Sequence, residues 1–159
     1  MDSWQPAPTR ALASWEPLRL LVGGTFALDG LAEPLRVWAS DVVGVPLCIE
    51  WVGYAGGELD ALARPDGAFR ALRAGSVGVL FARLEDLLAE STDTLLAMSP
   101  AACAAALDGA ATRLGSAIAL AASGAGACPL VICCAPTSPV LSSSATVRAA
   151  LARAHARLR

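Results

Sequence analysis

The chain has 159 residues, 55% of them apolar and only 16% charged, with a formal net charge of −2. That length suits one domain with a single solid core, and that composition excludes a disordered chain. The near-neutral charge removes the electrostatic case for nucleic acid or an anionic membrane surface as a partner.

Residues 1–16 (MDSWQPAPTRALASWE) have no clear period and read as a leader or linker, with Trp4 and Trp15 available to pack on the body. Asp2, Arg10, Glu16 and two prolines interrupt this stretch, so no secretory signal is expected and the chain reads as cytoplasmic. A short apolar run at 18–23 suits a strand buried on both faces. Gly23 and Gly24 are expected to turn the backbone sharply, placing Thr25 and Asp29 where strand meets helix. Leu31, Leu35, Trp38 and Val42 then recur at helical spacing across 29–43.

Pro46 introduces a second strand, LCIEWV, ending at Val52. A polar loop containing Tyr54 follows, with helical pieces broken at Pro65-Asp66-Gly67. Gly75-Ser76 opens a third strand, VGVLFA, which closes on Arg83-Leu84-Glu85-Asp86, and 87–98 reads as loop with one helical turn. Ser99-Pro100 is a helix start, with a hydroxyl at the cap and proline at the first helical position. That Ala-dominated helix is expected to reach about Ser123, followed by a fourth strand over about 130–135. PTSPVLSSS reads as loop, and a last helix from about Ser144 carries the stripe Val147, Leu151, Ala154 and Leu158.

The alternation of strand and helix, four times over, predicts an α/β domain over 17–159. The sheet is a small doubly wound parallel one, in the order 2-1-3-4 with helices on both faces, as in flavodoxin- and SGNH-like folds. Such folds usually continue to a fifth strand, so the chain reads as a piece of a longer polypeptide. Residues 114–147 carry no charged side chain, which raises the question of a membrane span. Gly124, Gly126 and Pro129 break the run, and helix end, loop and buried strand account for it without a membrane.

Three groups of side chains should meet at the carboxyl edge of this sheet. Gly24, Thr25 and Asp29 follow the first strand, Arg83, Glu85 and Asp86 the third, and Pro136, Thr137, Ser138 and Pro139 the fourth. A hydroxyl on the first loop with acids on the third is the general layout of an SGNH-type hydrolase, which makes Thr25, Asp86 and Ser138 the catalytic candidates. The base is missing from that layout. His155 is the only imidazole, it lies in the last helix, and it reads as an ordinary surface residue. Arg83 with Glu85 or Asp86 reads as a local ion pair fixing a loop. GGTFALDG is neither GxGxxG nor a Walker loop, so no nucleotide cofactor is expected. The five cysteines form no CxxC pair and suit reduced thiols, leaving no metal site.

Taken together, GTFALDGLAEPLRVW, the strand before Gly-Tyr, GSVGVLFARLEDLL and PLVICCAPTSPV resemble the N-terminal, SGNH-like domain of FkbH-like proteins. Related copies of that domain occur within nonribosomal peptide and polyketide synthases. The resemblance covers about residues 18–141, and Arg83–Asp86 is its most specific segment. It implies a ligand-facing set of Gly24, Thr25, Tyr54, Arg83, Glu85 and Asp86. Departures are concentrated in that set's surroundings: Ala27 stands for the family's second Thr, Ala55 and Gly56 for its loop Asn and Gln, Gly78 for a strand Asn and Leu87 for a Trp. The DxDxT signature of the phosphatase-like domain that normally accompanies the family is absent from this sequence.

What the resemblance implies is a non-catalytic accessory or docking domain of an assembly line, contacting neighbouring domains or a carrier protein. The smooth helix 100–123 is the expected contact face. The alternative is an enzyme or binding module acting on a carrier-tethered acyl group through Thr25, Arg83, Asp86 and Ser138. A third reading makes Arg83 the anchor of an anion sensor.

Overall fold

A computed structural model describes residues 16–52, 58–126 and 128–158. The four strands are β1 (Leu18–Gly24), β2 (Leu47–Trp51), β3 (Ser76–Ala82) and β4 (Leu130–Cys134). They form one all-parallel sheet in the order β2-β1-β3-β4, the doubly wound arrangement expected from the alternation of elements. Tyr54, and nearly all of the leader, lie outside the described residues.

The first helix is composite. A 3-10 turn (Asp29–Leu31) leads into α1 (Ala32–Trp38), which ends in a π turn (Ala39–Val43) closed by Gly44 at φ +75°. Glycine stops the helix there because that left-handed geometry is costly for other residues. Short α2 (Glu58–Ala63) follows β2, and α3 (Thr92–Ala97) follows a 3-10 turn at Leu84–Leu87. The long helix α4 (Pro100–Gly124) starts as the sequence predicts, with Ser99 Oγ accepting from the Ala102 N–H at 3.2 Å. The loop expected at PTSPVLSSS contains a further turn of helix, α5 (Pro139–Ser142), capped by Ser138. Ser144 caps the last helix, α6 (Ala145–Ala156).

Register assigns the two faces. Leu21 pairs with Gly78, and Gly78 with Leu130, so this row and its neighbours Leu80 and Ile132 share one face. The main core lies there, where α2 and α6 flank α4 over the sheet. Leu107 and Leu114 of α4 are fully buried, each stabilising the fold by about 1.5–3 kcal/mol. Ala110, Ala111, Ala117 and Ala121 are buried as well. These four alanines let the neighbouring helices approach α4 closely, while Ala101, Ala102, Ala105, Ala119 and Ala122 remain exposed on its other side. On the opposite face the row is Val22, Val79 and Val131. Val22 is sealed, but Val131 is 45% exposed, so that face stays open over β4.

Candidate functional site

β1, β3 and β4 end at one edge, and the loops that leave them are tied together there by side chains of Arg83, Glu85 and Asp86. Thr25 follows β1, and its N–H donates to the Phe81 carbonyl at 3.0 Å, extending the ladder by one residue. Its Oγ1 donates to Asp86 Oδ2 at 2.9 Å and accepts from the Arg83 N–H at 3.0 Å. Both the proton and a lone pair of the hydroxyl are thus engaged. Thr25 does not cap the helix that follows: the turn at Asp29–Leu31 has Leu28 at its cap and no side-chain bond.

Arg83 departs from its expected role as a local ion-pair partner. Among the described residues it forms no ion pair with Glu85 or Asp86. Its Nε donates to the Pro136 carbonyl at 3.1 Å and its guanidinium lies 4.0 Å from the centre of the Phe26 ring. The extended backbone of Arg83, with φ −105° and ψ 127°, lets the following 3-10 turn point Leu84 into the core and the acids towards the loops. Leu84 is 1% exposed. Glu85, 8% exposed, accepts from the Ser138 N–H at 3.1 Å through Oε1. Its Oε2 is sealed from solvent with no partner among the described residues. Ser138 in turn accepts from the Leu141 N–H at 3.4 Å, so its hydroxyl caps α5.

Gly24 has a role other than the turn predicted for it. It is the last residue of β1, its φ is not positive, and a Cβ there would stand 2.6 Å from Leu28 Cδ1. Close packing of the first loop over the strand end requires the glycine. Gly78, which stands where the resembled family has Asn, is similarly enclosed: a Cβ would meet Leu130 at 2.9 Å and Leu72 at 3.0 Å. Asp29 begins the first 3-10 turn, but its side chain falls outside what is described.

Among the described residues at this edge, Asp86 is the acceptor of the Thr25 hydroxyl proton, and the single imidazole, His155, lines a different concavity. Among the described residues, no three His, Cys, Asp or Glu side chains gather as a metal site.

Sequence reasoning missed a second concavity. Beyond Pro136, β4, α4 and α6 enclose a cleft of about 630 Å³, lined by Ile118, Ile132, Pro136, Thr137, His155 and Leu158 with Cys134 and Ala135. His155 is half-buried there rather than an ordinary surface residue. Its Nε2 is sealed and has no partner among the described residues, a deficit worth about 1–3 kcal/mol. The available signal was the helical offset of His155 from Leu151 and Leu158, which places it beside the apolar stripe. A smaller concavity of about 300 Å³ lies at the amino end of the sheet, between Arg19, Glu50 and Arg73.

Comparison with protein-family models, with curated proteins and with solved structures gives no match. The fold itself defines the class, a four-stranded, doubly wound α/β domain. No described helix is long and apolar enough to cross a membrane.

Proposed function

We propose that this chain is a non-catalytic docking domain of a cytoplasmic nonribosomal peptide or polyketide assembly line, of the FkbH-like N-terminal type. The observation that carries the reading is the engagement of Thr25 by both Asp86 and the Arg83 amide. Arg83 Nε, Glu85 Oε1 and Asp86 Oδ2 each bond to another loop of the same domain, so the edge acts as a clasp. Outside the crevice, the apolar surface is concentrated on the first helix and the second strand. Trp38 is 56% and Val42 70% exposed, with Val37, Val43 and Trp51 also exposed on consecutive elements. An apolar patch of this kind suits a neighbouring domain of the same polypeptide system.

The second reading, an enzyme acting on a carrier-tethered acyl group, is favoured by one fact: Thr25 and Asp86 stand within hydrogen-bond reach. The two readings divide on turnover. In the parent assembly line, Thr25→Ala and Asp86→Ala should leave product formation near normal, whereas Trp38→Asp with Val42→Asp should lower it and weaken pull-down of the neighbour. Lost turnover in a folded Thr25→Ala protein overturns the docking reading in favour of the enzyme.

A further inference from the structure

The amino end of the sheet, opposite the clasp, gathers charges of both signs that the fold leaves unpaired. Register places Cys48, Arg19 and Ser76 in one row across β2, β1 and β3, with Glu50 beside Leu21 in the next row of the same face. Arg73 joins them through a tight turn, closed by the Ser76 N–H to the Arg73 carbonyl at 3.0 Å with Gly75 at φ +81°. The Cys128 thiol also donates to that carbonyl, at 3.1 Å, and the fully buried Phe69 anchors the segment leading into the turn. Together with Ala68, Ala71 and Leu72, these side chains bound a concavity of about 300 Å³, at the small end of ligand-sized sites.

Arg19, Glu50 and Arg73 are exposed, yet their side chains form neither an ion pair nor a hydrogen bond among the described residues. Ser76 lines the same concavity at only 7% exposure, and its hydroxyl has no partner among the described residues either. We infer that this concavity binds a small α-amino acid as its zwitterion. Two planar guanidinium forks and a hydroxyl suit the carboxylate, and Glu50 is the acid of the lining, able to hold the ammonium. Ala68, Ala71 and Leu72 give a short apolar wall for the ligand's side chain. The mixture of charges decides the class of ligand. A phosphate or a bare carboxylate would meet Glu50 as a like charge, and an amine alone would meet two arginines. A zwitterion sets each of its charges against the opposite one.

Titration of the intact chain with L-leucine, followed by backbone amide NMR shifts, tests the assignment, with isocaproate, isoamylamine and inorganic phosphate as comparisons. L-leucine should bind one to one with a dissociation constant on the order of 1 mM, shifting the amides of Arg19, Glu50 and Ser76. Isocaproate and isoamylamine each lack one charge-assisted contact and should bind about tenfold more weakly, with phosphate no tighter than isocaproate. Arg19→Gln and Arg73→Gln should each weaken L-leucine about tenfold, and Ser76→Ala about threefold, all with the melting profile retained. Glu50→Gln should weaken L-leucine but tighten isocaproate, because the like charge has gone, and a merely structural glutamate would not split the two. Arg36→Gln removes an arginine outside the concavity and should bind like the parent chain. The titration reads neither turnover nor pull-down, so its outcome is separate from the docking reading. No saturable shifts up to the solubility limit of L-leucine, or phosphate binding as tightly as L-leucine, overturns the assignment. Parent-like binding by both arginine variants, or Glu50→Gln moving L-leucine and isocaproate alike, overturns it as well.

Discussion

The clasp at the carboxyl edge and the cleft behind β4 share a loop, yet among the described residues side-chain hydrogen bonds between loops are found in the clasp and not in the cleft. In the clasp, Thr25, Arg83, Glu85 and Asp86 each bond to another loop or strand end of the same domain. In the cleft, the Thr137 and His155 side chains make no such bonds among the described residues. Position at the ends of the strands is where α/β folds place their ligands. Each region keeps one sealed polar atom without a partner among the described residues, Glu85 Oε2 in the clasp and His155 Nε2 beside the cleft.

Stability should be asymmetric between the two regions, and the largest effect belongs to the clasp's buried anchor. Leu84→Ala should cost about 2–5 kcal/mol in denaturant unfolding, because its side chain fills the core under the turn. Next comes Glu85→Ala, which strands the Ser138 N–H and should cost about 1–3 kcal/mol. Thr137→Val in the cleft should change stability by no more than about 0.5 kcal/mol, since no bond is lost. A Thr137→Val cost as large as that of Glu85→Ala would erase the contrast between the regions.

Thiol reactivity gives a finer comparison without altering stability. Burial pushes the Cys103 thiol above its ordinary range, with Arg153 pulling weakly the other way. At mildly alkaline pH a raised thiol holds less thiolate, so native Cys103 should resist iodoacetamide until the chain unfolds. The exposed Cys134 should react in the native state. Mass-mapped alkylation times check this, and equal rates at the two positions would contradict the burial of Cys103 on α4.

Much of the fold was legible because its signals are local and periodic. The apolar runs at Leu18 and Val77 mark buried strands, and Ser99-Pro100 and Ser144 mark helix starts that the structure uses as caps. Parallel order follows from crossover length and handedness. The short helix Pro139–Ser142 was hidden because one turn leaves no period to detect. At the edge, sequence spacing brought Thr25 and Asp86 together but misassigned Arg83. Adjacent charges in sequence suggest a pair, whereas the extended backbone at Arg83 aims its side chain at Pro136 and Phe26. On Ala-rich α4, composition alone did not separate the buried alanines, Ala110, Ala111, Ala117 and Ala121, from those left exposed. The cleft left almost no trace in sequence, because its walls come from β4, α4 and α6, and none of its residues forms a motif.

The clasp account is tested most directly by a double-mutant cycle on Thr25→Ala and Asp86→Ala, read as unfolding free energy. A structural latch predicts that each single variant loses about 1 kcal/mol and that the double variant loses clearly less than their sum, because both remove the same 2.9 Å bond. Residues held in place for chemistry commonly stabilise a fold when removed. A gain in stability from either single substitution, or strict additivity in the double, contradicts the latch.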